Sequence, residues 1–89
     1  MKMKVEKVFN VSNKGTVLAG IVNEGTIKVG DTVFVLLEDG SEKQLTVRMI
    51  EVFGNDTIKE ASSGTKVGIA FEETVSKNEM ETAKNIIKE

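Results

Sequence analysis

Short apolar segments broken by turn residues constrain this chain more than any other feature of its sequence. Val, Ile and Thr make up 27 of the 89 residues, and they lie in short runs separated by Gly, Asn, Asp and Ser. β-Branched side chains fit the pleated surface of a sheet, and Gly, Asn and Asp accept the backbone conformations that tight turns require. The runs are joined by turns too short for a helical crossover, so the pattern predicts an all-β fold built as an antiparallel barrel.

The alternation of apolar and polar residues predicts where the strands lie. We expect an Asp39-Gly40 hairpin, because this dipeptide readily adopts the positive φ angles of a two-residue turn. The predicted strands and shorter extended pieces cover residues 4–11, 16–23, 27–31, 32–37, 43–53, 57–60 and 65–72.

The last fourteen residues depart from this alternation. Four apolar residues recur there at three- to four-residue spacing, namely Met80, Ala83, Ile86 and Ile87. This spacing predicts a short amphipathic helix, and Ser76 followed by Glu79 has the spacing of a capping box. The chain then divides into a barrel, residues 1–75, and a helical tail, residues 76–89. The apolar stripe either docks on the barrel or contacts a partner, and a helix this short also frays easily in water.

The composition excludes several kinds of chemistry. The chain has no Cys, His, Trp, Tyr or Pro, so it has no disulfide, zinc finger, thiolate nucleophile or Ser-His-Asp triad. A chain of this length buries only roughly 60 to 65% of its unfolded surface, enough for one core but not for a large enclosed active site. Because nothing in the sequence places two acids across a cleft, we expect a protein that is not an enzyme and that holds no cofactor or metal.

The charge balance argues against a general nucleic-acid binder. Twelve basic residues stand against fourteen acidic ones, the net charge is −2, and only Arg48 is an arginine. Proteins that bind nucleic acids nonspecifically carry a clustered basic excess. The first fourteen residues nevertheless carry a local excess that predicts a basic patch of Lys2, Lys4, Lys7 and Lys14. The alternative for these lysines is an ordinary solvated surface.

The N-terminal residues do not resemble an export signal. Glu6 and Lys7 interrupt any apolar stretch of the length that a signal peptide needs, and no run approaches the length of a membrane span. We therefore expect a cytoplasmic protein without membrane contacts.

Several sequence blocks resemble a known family. They occur in the order VFNV at 8–11, KGTVLAGIV at 14–22, GTIKVGDTV at 25–33, VRMIEVF at 47–53, and then Ile58, Ala61, Gly64 and VGI at 67–69. Together they resemble the second domain of translational GTPases such as elongation factor Tu, over about three quarters of the chain. The resemblance implies a six- or seven-stranded Greek-key barrel and an ancestry in translation. The family's GTP-binding domain has no counterpart here, so this chain is not expected to bind GTP.

The resemblance also implies a candidate site. In elongation factor Tu the second domain receives the aminoacyl 3′ end of tRNA in a shallow pocket formed by a glutamate and apolar residues. The matching glutamate is Glu51, and the apolar rim maps to Val29, Gly30 and Val33. The basic residue that the family usually places three positions later is Gly54 here. The family's closing strand is expected to be missing from this chain or replaced by its tail.

Two hypotheses follow for the function. In the first, the chain is a non-enzymatic binding module, a monomer or weak homo-oligomer, that docks on RNA, on the ribosome or on a protein partner. In the second, the barrel is a scaffold without a ligand of its own, and the tail helix mediates self-association or binds a larger chain.

Overall fold

The computed structural model describes residues 1–52 and 56–88, and within these ranges the chain is built almost entirely of strands. The all-β prediction is therefore confirmed. In chain order the elements are β1 (Lys2–Val11), β2 (Gly15–Glu24), β3 (Thr26–Lys28), β4 (Thr32–Leu37), β5 (Glu42–Val52), β6 (Asp56–Ile58), β7 (Glu60–Ser62), β8 (Lys66–Phe71), α1 (Lys77–Met80) and β9 (Ala83–Ile87).

Six strands close an antiparallel barrel, as predicted. Their order around the barrel is β4, β9, β1, β2, β8 and β5, and β5 pairs back with β4 to complete the ring. Strands β6 and β5 pair at one edge, while β3 and β7 form a separate two-stranded sheet. The connections from β2 to β4 and from β8 to β9 join strands that are not neighbours, which is the feature of Greek-key barrels.

The inward-facing residues form one apolar core. Leu18, Val33, Val47 and Ile69 are among the residues that are completely shielded from solvent. β1 and β2 pair side by side, and their backbones approach closely at Gly20. A Cβ atom at this position would lie 1.8 Å from the carbonyl oxygen of Lys4. This contact coincides with a bulge in β1 between Val5 and Lys7. Only glycine fits at this close contact of the two strands.

The tail differs from the predicted helix. The capping box of Ser76 and Glu79 is present, but the helix ends at Met80 after a single turn. The next segment, Ala83–Ile87, is strand β9, which pairs with β1 on one side and β4 on the other. Residues 83–87 of the predicted tail are therefore part of the barrel.

Burial in the core explains this difference. Met80 and Ile86 are fully buried, Ala83 and Ile87 are half-buried, and Ile86 pairs with Met3 and with Val35. Two ladders of backbone hydrogen bonds outweigh the weak helical preference of a short segment. Of the two expected alternatives, a missing closing strand or its replacement by the tail, the structure shows the second, because β9 of the tail closes the barrel.

The two ends of the described chain are joined next to this strand. The terminal ammonium of Met1 donates to the carbonyl of Lys88 at 2.8 Å, and the amide of Lys88 donates to the carbonyl of Met1 at 3.0 Å. Gly54 lies outside the described residues, as does Phe53, the last residue of the predicted strand 43–53. No helix in the described ranges is long and apolar enough to cross a membrane.

Candidate functional site

A groove lies on the outward face of β1, β2, β8 and β5. The pairing registers place two rows of residues across these four strands. The first row begins with Phe9, Val17 and Ala70, and the second row is Lys7, Ala19, Gly68 and Glu51. We call the concave surface along these rows the Phe9 groove.

The floor of the groove is apolar. Val17 and Ala70 are buried, yet neither belongs to the core cluster inside the barrel. Gly68 keeps the floor low because it has no side chain. A Cβ atom at this position would lie 3.0 Å from Cγ1 of Val17 and would occupy part of the groove. The resulting cavity has a volume of about 320 Å³ and also includes Val52. This volume is at the lower end of the range for small-ligand sites.

Phe9 provides the aromatic surface of the groove. Its side chain is 44% exposed, although large apolar side chains are usually buried in a barrel of this size. The bulge in β1 explains its orientation. Met3 and Val5 face the core before the bulge, whereas Val8 faces it afterwards, so Phe9 points outwards.

Glu51 provides the carboxylate, and it is held by an ion pair. Nζ of Lys14 lies 2.6 Å from Oε2 of Glu51, and the two side chains are only 30% and 13% exposed. Lys14 belongs to the turn between β1 and β2. The guanidinium of Arg48 fixes this turn by donating from Nη2 to the carbonyl of Lys14 at 2.7 Å, and from Nε to that of Phe71 at 3.3 Å.

Cationic side chains extend the groove along one rim. Lys66 lines the groove directly, and the registers place it in one row with Ile21 and Lys4. Lys7 begins the neighbouring row, and Glu6 is the acidic residue on this rim. Lys4 and Lys7 thus lie on β1, at the end of the rows opposite Glu51, whereas Lys66 lies on β8, the strand that pairs with β5.

The structure separates the predicted site residues. Glu51 lies in the Phe9 groove, but Val33 is fully buried because strand alternation turns it into the core. Val29 is 44% exposed and lines other cavities, while the amide of Gly30 donates to the carbonyl of Val47 at 2.8 Å. The predicted apolar rim therefore does not surround Glu51.

The predicted basic patch is also divided. Lys2, Lys4 and Lys7 are exposed on β1, but Lys14 is half-buried against Glu51. The stripe assigned to a partner helix, Met80, Ala83, Ile86 and Ile87, is built into the barrel, so it forms no exposed helical face.

The sequence analysis missed Phe9 and Lys66 as site residues. Strict alternation from Met3 would place Phe9 inside, and only the bulge reverses this. The sequence contained a signal for the bulge. Strict alternation would bury Lys7, and a buried lysine without a partner is unfavourable. Lys66 joins the rim through the pairing of β2 with β8, which no local pattern reveals. Within residues 1–52 and 56–88 there is no group of three or more side chains suited to hold a metal ion.

The fold defines a small closed antiparallel β-barrel with a concave apolar groove on its outer face. No protein-family model matches the chain. The chain is 38% identical over 71 residues to "Uncharacterized protein MJ0325" of Methanocaldococcus jannaschii. The match covers 80% of this chain but 22% of that protein, so the chain spans about a fifth of the length of this relative.

Proposed function

We propose that this chain is a non-enzymatic binding module, related to the second domain of elongation factor Tu, that takes the end of an RNA strand in the Phe9 groove. The observation that carries the proposal is the presence of an exposed aromatic ring and a partly exposed carboxylate in one apolar groove. The sequence blocks that resemble the translational GTPases support the same ligand class.

The groove residues suit a terminal nucleoside. Proteins that bind unpaired bases stack them on aromatic side chains, and Phe9 presents such a surface beside an apolar floor. A carboxylate accepts hydrogen bonds from ribose hydroxyls, and Glu51 provides one. Its ion pair with Lys14 holds this carboxylate in a fixed orientation.

The lysine rim suits the phosphates that precede a terminal nucleoside. Lys4 and Lys7 on β1 and Lys66 on β8 face outwards on either side of β2. Such a local cluster gives affinity for a short single strand even in a chain of net charge −2. Lys14 also supplies an ammonium beside Glu51, in a chain where Gly54 removes the family's basic residue.

Fluorescence anisotropy with a short labelled RNA that ends in an unmodified CCA sequence tests this function. We expect binding at low ionic strength that weakens steeply as salt rises. Phe9→Ala should lower the affinity about fivefold or more, since stacking on an aromatic residue contributes ~1–3 kcal/mol per base. Glu51→Gln should also weaken binding, whereas Glu42→Gln, a matched change on an exposed residue at the start of β5, should leave it unchanged.

Two results would show that the proposed function is wrong. If the RNA does not bind at low ionic strength, or if Glu42→Gln weakens binding as much as Glu51→Gln, the groove is not an RNA site.

A further inference from the structure

A second concave surface, outside the Phe9 groove, surrounds Val29. Two cavities of about 400 Å³ each share Val29 and Lys59 in their walls. They lie between β5, β6 and the turn that follows β3. We call this surface the Val29 cavity.

The Val29 cavity has an apolar base. Val29 is 44% exposed, and the half-buried side chains of Met49 and Ile58 line the same space. Apolar side chains that cluster in a concave surface indicate a contact site more strongly than single exposed ones do.

The backbone around Val29 is fixed. The amide of Val29 donates to the carbonyl of Lys59 at 2.9 Å, and Lys28 pairs with Glu60 in the ladder of β3 and β7. The amide of Gly30 is bonded to β5. A partner therefore meets a preorganised surface, which lowers the entropic cost of binding.

Three cations surround this apolar base in a chain whose net charge is negative. They are Lys28, Arg48 and Lys59, and the acidic residue that lines the same space is Glu60. Among the described residues, neither Lys28 nor Lys59 forms a salt bridge; the nearby Asp31 pairs with Lys88 instead, at 3.1 Å. The cavity is thus electrostatically complementary to an anionic partner.

We propose that the Val29 cavity binds an acidic protein segment that carries apolar side chains. The apolar side chains of the segment contact Val29, Met49 and Ile58, and its carboxylates pair with the surrounding cations. A nucleic acid fits less well, because the described walls of this cavity contain no aromatic side chain on which a base could stack. This proposal is independent of the function proposed for the Phe9 groove.

Three labelled probes test the ligand class by fluorescence anisotropy with the whole chain. They are an eight-residue peptide of alternating glutamate and leucine, a glutamate octamer and a uridine octamer. We expect the mixed peptide to bind most tightly and its affinity to fall as salt rises. Lys28→Gln combined with Lys59→Gln should weaken it about threefold to tenfold, or ~0.7–1.4 kcal/mol in all, as expected for the loss of two solvent-exposed ion pairs.

Control variants separate this site from general charge effects. Lys77→Gln combined with Lys84→Gln removes the same charge from exposed positions elsewhere and should change the affinity little. Val29→Ser should weaken the mixed peptide while leaving the circular dichroism spectrum unchanged, and Phe9→Ala should have no effect. The proposal is overturned if the mixed peptide fails to bind, if the glutamate octamer binds equally well, if the uridine octamer binds more tightly at the same residues, or if the control pair has the same effect.

Discussion

Lys14 and Glu51 connect the turn between β1 and β2 to the end of β5, through an ion pair of 2.6 Å between Nζ and Oε2. The two residues are 37 positions apart in the sequence. Because Arg48 binds the carbonyl of Lys14 as well, the carboxylate of the groove and the turn beside it form one structural unit.

The first prediction concerns this ion pair. Lys14→Gln and Glu51→Gln should each lower the free energy of unfolding, and the double variant should lose less than the sum of the two. We expect a coupling energy of ~0.5–1 kcal/mol, because the pair is shielded more than a typical surface bridge yet not fully buried. Chemical denaturation of the four proteins measures this coupling. Strictly additive effects would show that the pair contributes no stability.

The second prediction concerns the floor of the Phe9 groove. Gly68→Ala places a Cβ atom 3.0 Å from Cγ1 of Val17, so the new methyl group fills part of the groove. RNA affinity should fall while the barrel stays folded, since Val17 needs to move by only a few tenths of an ångström. Anisotropy and thermal melting measure the two effects. An unchanged RNA affinity in a folded variant would place the ligand elsewhere.

The third prediction concerns the close contact between β1 and β2 at Gly20. Gly20→Ala should destabilise the fold by about 2–4 kcal/mol, because its Cβ atom would overlap the carbonyl oxygen of Lys4, which cannot rotate away. Gly64→Ala is the control. Its Cβ atom would have open space, so only the backbone strain of φ 89° remains, about 1 kcal/mol. Equal unfolding midpoints for the two variants would argue against the close backbone contact at Gly20.

The fourth prediction concerns the closing strand. Ile86→Ala should lower the free energy of unfolding by about 2–5 kcal/mol, as expected for a fully buried side chain. Lys84→Ala, an exposed change on the same strand, should alter it by less than about 0.5 kcal/mol. Urea denaturation of both variants distinguishes β9 from a loosely attached helix, for which the two changes would have similarly small effects.

The fifth prediction concerns acid stability. Both carboxylate oxygens of Glu73 accept hydrogen bonds from Thr46, from its amide at 2.7 Å and from Oγ1 at 2.9 Å. The bond from the amide is the main cause that lowers the pKa of Glu73. A pKa that is lower in the folded state gives stabilisation that is complete above the unfolded-state pKa and is lost as pH falls through the folded-state pKa.

Glu73→Gln should therefore make the free energy of unfolding depend less on pH below about 4.3, the usual glutamate pKa. Denaturation curves at a series of acidic pH values measure this dependence. Glu24→Gln, on an exposed glutamate at the end of β2, is the control for removing one carboxylate. The same pH dependence in the wild-type protein and in Glu73→Gln would contradict the role given to Thr46.

Alternation along the chain predicted the long strands of the barrel because each strand has one face in a single core. It failed at the bulge in β1, where the phase of the alternation reverses and Phe9 turns outwards. It failed again after Met80, because β9 is specified by its two neighbours and not by its own weak pattern.

The candidate site was less predictable than the fold. Glu51 was proposed from the family resemblance, but its neighbours were not, because Lys14 and Gly68 come next to it only when distant parts of the chain pair. Val33 was assigned to the site although alternation already placed it with the buried residues of β4.

An NMR titration with the trinucleotide CCA shows whether the Phe9 groove holds the end of an RNA strand. At low ionic strength we expect chemical-shift changes at the amides of Phe9, Ala19, Glu51 and Gly68, with Val29 unaffected. Absence of any shift, or shifts centred on Val29, would show that the groove does not bind this end.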